Sequence, residues 1–409
     1  MAPGIHGGGL LRYDELDESA GVRSALDETR WGPVAVGRSG TKRVRVLHVV
    51  PSFDVGGMEN GVVNLINGMD AQEFEHAICV LAGEGPALER LRVPASVCRL
   101  RKKPGNAPSI PFRIGRHFSD ARPDIVRTYS WGAWLEGLVA ARLMRSNAVI
   151  HSEHGFAGLA SEGAVRRRLG QRLACRFTHK VIAVTDPLRQ QLVGQLGLPP
   201  GKLLTIENGV DTERFSPGKA VQIRESLGIP QGICVLGTVA RLDPVKNIGC
   251  VLRALQKLPE VHYLIVGEGP EYRKLLALAS GLGICARVHF LGARDDIPEV
   301  MRALDLFVLA SRSEGCSNTL LEAMATELPI IATGVGGTLT LIDENKTGVL
   351  IPPDEPEAIV RSVEGYLADR SIYLEMGRVA RETVSRNHSL RRMIQRYEAL
   401  YMETIRNPN

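Results

Sequence analysis

Two carboxylates stand close together in residues 311–325, and their surroundings favour a binding site. Glu314 and Glu322 follow a short apolar run, residues 304–309, which has the composition of a buried parallel strand. An ionised carboxylate only accepts hydrogen bonds, and it can take two from one pair of neighbouring hydroxyls. The pattern therefore predicts a site for a ligand rich in vicinal hydroxyls, with two solvated glutamates as the alternative for the pair taken alone.

The local sequence also predicts where these carboxylates stand relative to a helix. Glu314 and Gly315 fall in the loop after the apolar run. Ser317 or Asn318 is suited to cap the next helix, which places Glu322 about one turn inside it. Ligands of parallel α/β sheets bind outside the carboxyl ends of the strands, where helix N-termini offer free N–H groups. Both carboxylates are therefore expected at the ligand-binding edge of a sheet.

Cationic groups that suit a diphosphate follow an earlier strand of the same half. Arg241 and Lys246 lie on the loop that leads from this strand into a helix. Arginine grips two phosphate oxygens as a fork and lysine adds a point charge, so the pair suits a diphosphate. An ordinary solvated pair is the alternative.

Two further candidates lie in the first half of the chain. Gly57 follows the first strand and precedes a helix, where glycine lets backbone approach a phosphate or a sugar, although a tight connection alone would also use it. His154 ends the fifth strand and is a candidate for a sugar or phosphate contact. His151 is expected to be structural, and a metal pair of the two histidines lacks a third ligand nearby. No motif in the sequence requires a metal or another cofactor.

Composition sets the class of protein. The chain has 409 residues, 44% of them hydrophobic and 23% charged, with a formal net charge of +5. This length predicts two domains, and the modest charge does not call for a nucleic-acid partner. The seven cysteines are scattered along the sequence, which predicts reduced core residues of a cytoplasmic protein. The sequence shows neither a signal-peptide core nor an apolar run long enough for a membrane-spanning helix.

Strand and helix patterns alternate along the chain, which predicts two doubly wound parallel-sheet α/β domains that face each other across a cleft. The predicted strands are residues 44–51, 76–81, 96–100, 124–129, 148–154, 180–185, 234–240, 261–266, 288–291, 304–309, 329–332 and 348–351. The predicted organisation is a mobile extension (1–42), an N-terminal domain (43–212), a C-terminal domain (213–388) and a C-terminal helical segment that crosses back (389–409).

A basic helical segment in the first half has two interpretations. It carries leucines at helical spacing and four arginines, Arg166, Arg167, Arg168 and Arg172. Such a face either is simply solvated or rests on anionic lipid at the inner face of the plasma membrane.

Several motifs of the second half resemble the donor-site signature of the family-four retaining glycosyltransferases (glycosyl transferases group 1), which have the GT-B fold. These motifs occupy residues 239–247, 264–270, 288–292, 314–325, 328–337 and 345–353. The segment 54–67 further resembles sugar transferases associated with exopolysaccharide loci and with the PEP-CTERM protein-sorting systems of Gram-negative bacteria.

The resemblance implies roles for individual residues. Glu314 would bind hydroxyls of the donor sugar and Glu322 the nucleotide ribose. Arg241 and Lys246 would hold the diphosphate and stabilise its charge as the glycosidic bond breaks. The leaving diphosphate itself would accept the acceptor's proton, so no protein base is needed. The remaining implied contacts with the nucleotide sugar are those of Gly57, His154, Gly315, Cys316, Ser317 and Asn318.

The chain departs from the family pattern at two places. Glu327 stands where the family usually has glycine after a helix, which costs strain if the position needs a positive φ. Residues 338–341 replace a Pro-Glu pair, which makes the geometry of that loop an open question.

The resemblance implies a cytoplasmic retaining hexosyltransferase with a nucleotide-sugar donor, which we expect to be a UDP-sugar rather than GDP-mannose. The acceptor is expected to be a glycan or a lipid-linked intermediate of a surface polysaccharide. The N-terminal domain is expected to be the acceptor side, and the C-terminal domain is expected to bind the nucleotide sugar. Two alternatives stay open: a nucleotide-sugar isomerase of the 2-epimerase type on the same fold, and a non-catalytic partner that binds sugar nucleotides.

Overall fold

Two parallel β-sheets organise the molecule. A computed structural model describes residues 31, 42–54, 56–103, 107–155 and 164–407, without the side chains of residues 164–166 and 195. The first half forms a seven-stranded sheet and the second half a six-stranded sheet, and every strand pairs in parallel with its neighbours. The prediction of two doubly wound parallel-sheet domains is confirmed.

In the first sheet the spatial order is β3-β2-β1-β4-β5-β6-β7. Its strands are β1 (Val44–Val50), β2 (Phe74–Val80), β3 (Ala95–Arg99), β4 (Ile125–Tyr129), β5 (Ala148–Glu153), β6 (Lys180–Ala183) and β7 (Leu203–Thr205). The helices between them are α1 (Gly57–Gly68), α2 (Ile110–Phe118), α3 (Trp131–Leu143), α4 (Ala164–Arg176) and α5 (Asp186–Leu196).

In the second sheet the order is β10-β9-β8-β11-β12-β13. A short helix, α6 (Val221–Ser226), precedes the sheet. Its strands are β8 (Cys234–Val239), β9 (Val261–Val266), β10 (Val288–Gly292), β11 (Leu306–Leu309), β12 (Ile330–Thr333) and β13 (Val349–Ile351). The helices that follow are α7 (Ile248–Leu255), α8 (Tyr272–Gly281), α9 (Ile297–Arg302), α10 (Asn318–Ala325), α11 (Thr338–Leu341), α12 (Pro356–Ala368), α13 (Arg370–Asn387) and α14 (Leu390–Arg406).

Each predicted strand begins and ends within two residues of an observed one. The sequence signal was strong because strands covered on both faces read as continuous apolar runs, and all six residues of β8 are buried. No helix in the described part of the chain is long and apolar enough to cross a membrane.

The chain passes between the two sheets twice, and the two passes touch. Val210 N donates to His388 O at 2.9 Å, and Leu390 N donates to Val210 O at 2.8 Å. Helix α14 then packs against the first sheet, where its Ile394 and Tyr401 are buried in one apolar cluster with residues of β1, β2 and β4.

The predicted N-terminal extension lies outside the described residues except for Trp31 and Lys42. Trp31 differs from the expectation of a mobile segment, because its side chain is only 5% exposed. The ring packs edge-on against Phe118 with centroids 6.1 Å apart, and the Arg45 guanidinium lies 4.5 Å above it. Trp31 thus contributes to the core of the first domain.

Glu327 has the positive φ that its place after α10 suggests. The angle is 61°, and Leu328 N closes the helix end by donating to Ala323 O at 3.1 Å. A residue with a side chain on left-handed backbone costs roughly 1–2 kcal/mol, and a C-cap of this kind favours glycine.

We therefore expect Glu327→Gly to raise the free energy of unfolding by about 0.5–1 kcal/mol, because relief of strain exceeds the extra chain entropy of glycine and the loss of a surface pair. That pair joins Arg381 Nε and Glu327 Oε1 at 3.6 Å. Urea unfolding measures the change. In the control, Glu364→Gly inside α12, the substitution should cost about 1 kcal/mol instead. If Glu327→Gly were less stable than wild type, the claim that the backbone at Glu327 is strained would be wrong.

Candidate active site

A buried ion pair stands at the switch point of the second sheet. Strands β8 and β11 are neighbours from which the chain winds in opposite directions, so the loops after them flank a crevice. Lys246 Nζ, from the first loop, lies 2.6 Å from Glu314 Oε1 of the second, and Ser311 Oγ donates to the same oxygen at 2.5 Å. The side chains are 22% and 7% exposed. Two groups predicted for one ligand are thus brought together.

A second set of contacts fixes the loop that carries Lys246. Arg312 N donates to Val245 O at 2.8 Å, and its guanidinium donates from Nη2 to Asp354 Oδ1 at 2.6 Å. Asn247 Nδ2 donates to the same carboxylate oxygen at 3.1 Å. These residues hold the loops after β8, β11 and β13 together. Their contacts could not be predicted from the sequence, because the three loops are distant in the chain.

Arg241 occupies the open side of this crevice. Its side chain is 70% exposed, and Nη2 pairs with the Asp243 carboxylate. Burial, and to a smaller extent Asp54, raise the pKa of Glu59 at the start of α1, whereas the charge of Arg241 lowers it. Arg241 is therefore close enough to the first domain to act electrostatically on one of its carboxyl groups.

Asparagine side chains connect the helix after Glu314 to the first domain. Asn318 Nδ2 donates to Gly57 O at 2.9 Å, and Asn208 Nδ2 donates to Asn318 Oδ1 at 2.7 Å and to Cys316 O at 3.1 Å. The amide of Asn318 thus bridges the two halves. Ser317 provides the predicted N-cap of α10, since its Oγ accepts from the N–H of Leu320 at 3.4 Å.

The backbones of the two domains meet at Gly315. A Cβ atom at this position would lie 2.5 Å from His154 O, so only glycine fits. Burial, and to a smaller extent the nearby Arg127 and His151, lower the pKa of His154 to about 3, so the imidazole is neutral at neutral pH. Within the described residues its Nε2 atom is shielded from solvent and has no hydrogen-bond partner.

Glu322 lies on α10, as predicted, and is half-buried. Burial raises its pKa to about 8, and the charges of Arg214 and Arg90 oppose this rise. Arg90 belongs to the first domain, and its Nη2 pairs with Asp295 Oδ1 of the second at 2.7 Å. Neither arginine was predicted from the sequence. At neutral pH this carboxyl group can both donate and accept a hydrogen bond.

The predicted loop at residues 338–341 forms the short helix α11. Thr338 is fully buried, and in the described part of the chain its Oγ1 has no hydrogen-bond partner. Gly337 N donates to Glu314 O at 3.0 Å, which fixes this segment against the Glu314 loop. Residues that could hold a metal are also absent from the described ranges, where no three His, Cys, Asp or Glu side chains cluster.

Comparison with protein families agrees with this arrangement. Residues 221–383 match the model of glycosyl transferases group 1, and residues 55–214 match the model of glycosyltransferase family 4. The chain is therefore a glycosyltransferase that consists of a family 4 domain followed by a group 1 domain. It has the GT-B fold that the motifs predicted. It resembles the structure of Anabaena Alr3699/HepE in complex with UDP and glucose, with a TM-score of 0.78 and 22% identity over 88% of this chain and 99% of that one.

Curated relatives are also glycosyltransferases. A UDP-Gal:alpha-D-GlcNAc-diphosphoundecaprenol alpha-1,3-galactosyltransferase of Escherichia coli is 27% identical over 69% of this chain and 76% of its own length. A D-inositol 3-phosphate glycosyltransferase of Mycolicibacterium gilvum is 29% identical over 61% of this chain and 60% of its own length.

The raised pKa of Glu322 predicts how stability depends on pH. The folded protein binds a proton here more tightly than the unfolded chain, because the pKa rises from 4.5 to about 8. This group therefore stabilises the ligand-free fold fully below about pH 4.5, and its contribution is lost as pH rises through about 8. We expect Glu322→Gln to flatten the decline of the thermal midpoint between pH 5 and pH 8, as measured by circular dichroism.

A matched control is Glu364→Gln, which removes an exposed carboxyl group from α12. This variant should follow the wild-type pH dependence. Identical slopes in wild type and Glu322→Gln would show that Glu322 ionises normally.

Proposed function

We propose that this transferase takes a sugar from a UDP-sugar donor and passes it, with retention of anomeric configuration, to a glycan or lipid-linked acceptor in the assembly of a surface polysaccharide. The observation that carries the proposal is the shared site of Lys246, Glu314 and Ser311 at the switch point, with Glu322 on the helix that follows. This places a cation from the loop after β8 beside a carboxylate from the loop after β11, and the helix that follows that second loop carries the other carboxyl group.

The residue roles follow from this chemistry. Glu322, protonated or ionised, has oxygens to pair with the two ribose hydroxyls. Lys246 and Ser311 both bond to Glu314 Oε1 and so fix the position of this carboxylate. Its other oxygen can accept a hydrogen bond from a hydroxyl of the donor sugar. Arg241, the more exposed of the two cations, grips the diphosphate together with Lys246.

Group transfer needs no base from the protein in this proposal. The bond between the anomeric carbon and the diphosphate oxygen breaks, and the acceptor oxygen bonds to that carbon on the same face. The acceptor's proton passes to the departing diphosphate, whose charge Arg241 and Lys246 stabilise as it develops. His154 is neutral, so its Nε2 can make one hydrogen bond to the donor sugar, but the ring supplies no charge.

The names of similar proteins support the choice of donor and acceptor. The E. coli relative is named for a UDP-sugar donor and a diphosphoundecaprenol-linked acceptor, and Alr3699/HepE was crystallised with UDP and glucose. We infer a UDP-sugar and a lipid-linked acceptor for this chain on the same grounds. Assignment to an exopolysaccharide or PEP-CTERM locus remains a prediction from residues 54–67.

We further propose that helices α3 and α4 rest on the inner leaflet of the membrane. Large apolar side chains on or next to these helices are exposed, at 68% for Leu169, 58% for Leu173 and 47% for Leu143. The helices adjoin, because a Cβ on Gly170 would lie 2.9 Å from the Trp131 ring. Exposed leucines beside arginines suit an anionic lipid surface.

The arginines predicted for this contact differ in their surroundings. Arg167 lies 5.9 Å from the centre of the Trp131 ring. Arg172 Nε donates to Leu196 O at 2.5 Å, which holds its stem against α5. Arg168 is half-buried on the same helix, and the side chain of Arg166 lies outside the described residues. The proposal accordingly depends more on the exposed leucines than on a row of four free arginines.

Thermal stabilisation by nucleotides tests the donor site. UDP and UDP-sugars should raise the thermal midpoint of the wild type more than GDP or GDP-mannose, because a ligand that binds only the native state stabilises it by mass action. Glu322→Ala should lose the shift and Glu364→Ala should keep it. Stabilisation by the guanosine nucleotides alone would contradict the proposal that the donor is a UDP-sugar. If no nucleotide raises the midpoint, the assignment of the donor site is wrong.

NMR of the product tests retention. With a turnover substrate, the spectrum should show that the α-linkage of the donor persists in the product.

Vesicle co-sedimentation tests the membrane face. The double variant Leu169→Ser/Leu173→Ser should bind phosphatidylglycerol vesicles at least about tenfold more weakly than wild type, since each buried methylene contributes about 0.8 kcal/mol. The control, Leu276→Ser/Leu374→Ser, removes two exposed leucines of the second domain and should bind like wild type. Equal binding by all three proteins, or preference for neutral phosphatidylcholine, would refute this orientation.

A further inference from the structure

A basic loop follows strand β3 at the cleft edge of the first sheet. Its charged side chains are those of Arg101, Lys102 and Lys103, and with Arg99, the last residue of β3, they make four cations within five residues. In a parallel sheet the carboxyl ends of all strands lie at one edge, so this loop shares its edge with the loop that carries Gly57. None of these cations has a part in the donor site described above.

Backbone bonds hold the basic loop in place. Leu100 N donates to Val80 O at 2.9 Å and Lys102 N donates to Leu81 O at 2.6 Å. From α2, Arg113 Nη2 donates to Leu100 O at 2.9 Å. The backbone of Arg101 is left-handed, with a φ of 48°. Strained backbone of this kind persists where surrounding structure fixes it, and it is concentrated at functional sites.

The carboxylate that faces this loop, that of Glu84, forms an exposed ion pair with it. Arg101 contacts Glu84 twice, from Nε to Oε1 and from Nη2 to Oε2, both at 3.2 Å, but the two side chains are 71% and 70% exposed. Arg99 Nε donates to the backbone oxygen of Glu84 at 2.8 Å, and within the described residues neither of its Nη groups has a hydrogen-bond partner. An ion pair this exposed contributes little, so a phosphate can replace the carboxylate at small cost.

The loops after β1, β2 and β3 lie side by side. Leu81 N donates to Val50 O at 3.0 Å and Ala82 N to Pro51 O at 2.9 Å. Strand β3 is two strands from β1, so the basic loop is displaced by roughly 10 Å from the Gly57 loop along the hydrogen-bonding direction. A molecule bound in the cleft therefore needs a reach of roughly 10 Å to place an anionic group at this loop.

We propose that Arg99, Arg101, Lys102 and Lys103 form the binding site for a phosphate or diphosphate group of the acceptor. The two guanidinium forks match pairs of phosphate oxygens, and the two lysines add charge around them. The inference rests on the proposed function, because it treats the first domain as the acceptor side. It adds the chemical class of the acceptor: the molecule carries a phosphoryl group at a distance from its reacting hydroxyl.

Pyrophosphate binding to the UDP-saturated full-length protein tests the proposal, with calorimetry at low salt as the measurement. UDP occupies the donor diphosphate site, so a further pyrophosphate reports a second site. We expect Arg99→Gln/Arg101→Gln to weaken this binding by about tenfold or more, because each arginine supplies charge-assisted hydrogen bonds.

Arg122→Gln/Arg145→Gln is the matched control. Both arginines are exposed, lie at the opposite edge of the first sheet, and have a positive φ like that of Arg101. The control should bind pyrophosphate like wild type. Glu84→Gln should bind it more tightly than wild type, a gain that damage to the fold cannot produce.

Two results would overturn the proposal: no second pyrophosphate on the wild type, or equal losses in the two arginine pairs. Failure of the proposed function would look different, because UDP itself would then not bind while the arginine variants could still differ in pyrophosphate binding. Two probes separate the sources of the phosphoryl group. Recruitment to neutral vesicles that contain farnesyl diphosphate, but not to vesicles with farnesol, indicates a lipid diphosphate, whereas binding of glucose 1-phosphate alone indicates a soluble sugar phosphate.

Discussion

The close approach of two backbones across the cleft is the constraint on which the site depends. Gly315 lies so near to His154 O that a Cβ would be 2.5 Å away, and a Cβ on Gly337 would be 1.7 Å from Gly315 O. Three loops from both domains are therefore stacked without intervening side chains. Because Glu314 precedes Gly315, this contact fixes the carboxylate at the boundary between the domains, and Asn318 extends the contact to Gly57.

Burial sets the electrostatics of the site. Lys246 and Glu314 are charged groups that lie mostly out of water, and removal of either would leave the other unpaired at a cost of several kcal/mol. Among the residues that the structure describes, Glu322 has no such ion pair, and its pKa rises to about 8 instead. Burial thus favours the proton on Glu322, whereas Glu314 has a lysine and a serine hydroxyl beside it. A ligand rich in hydroxyls and phosphate satisfies both groups.

The last helix of the chain belongs to the first domain. Arg127 is fully buried on β4, donates from Nη1 to Tyr401 OH at 2.8 Å, and lies 4.4 Å from the centre of the Tyr397 ring. Both tyrosines are on α14, which follows the second domain. A buried cation that is held by aromatic faces and hydroxyls ties this helix to the first sheet. The two passes between the domains at Val210 and Ser389 follow from that attachment.

Local sequence determined the strands, the Ser317 cap and the positive φ at Glu327, because each depends on periodicity or on backbone geometry within a few residues. It also placed Glu314 and Lys246 at strand ends. Tertiary structure alone decided that these two side chains pair, and that Arg312 and Asp354 hold their loops. The physical reason is that loops distant in the chain become neighbours only once the strand order is fixed, and no local pattern encodes that order.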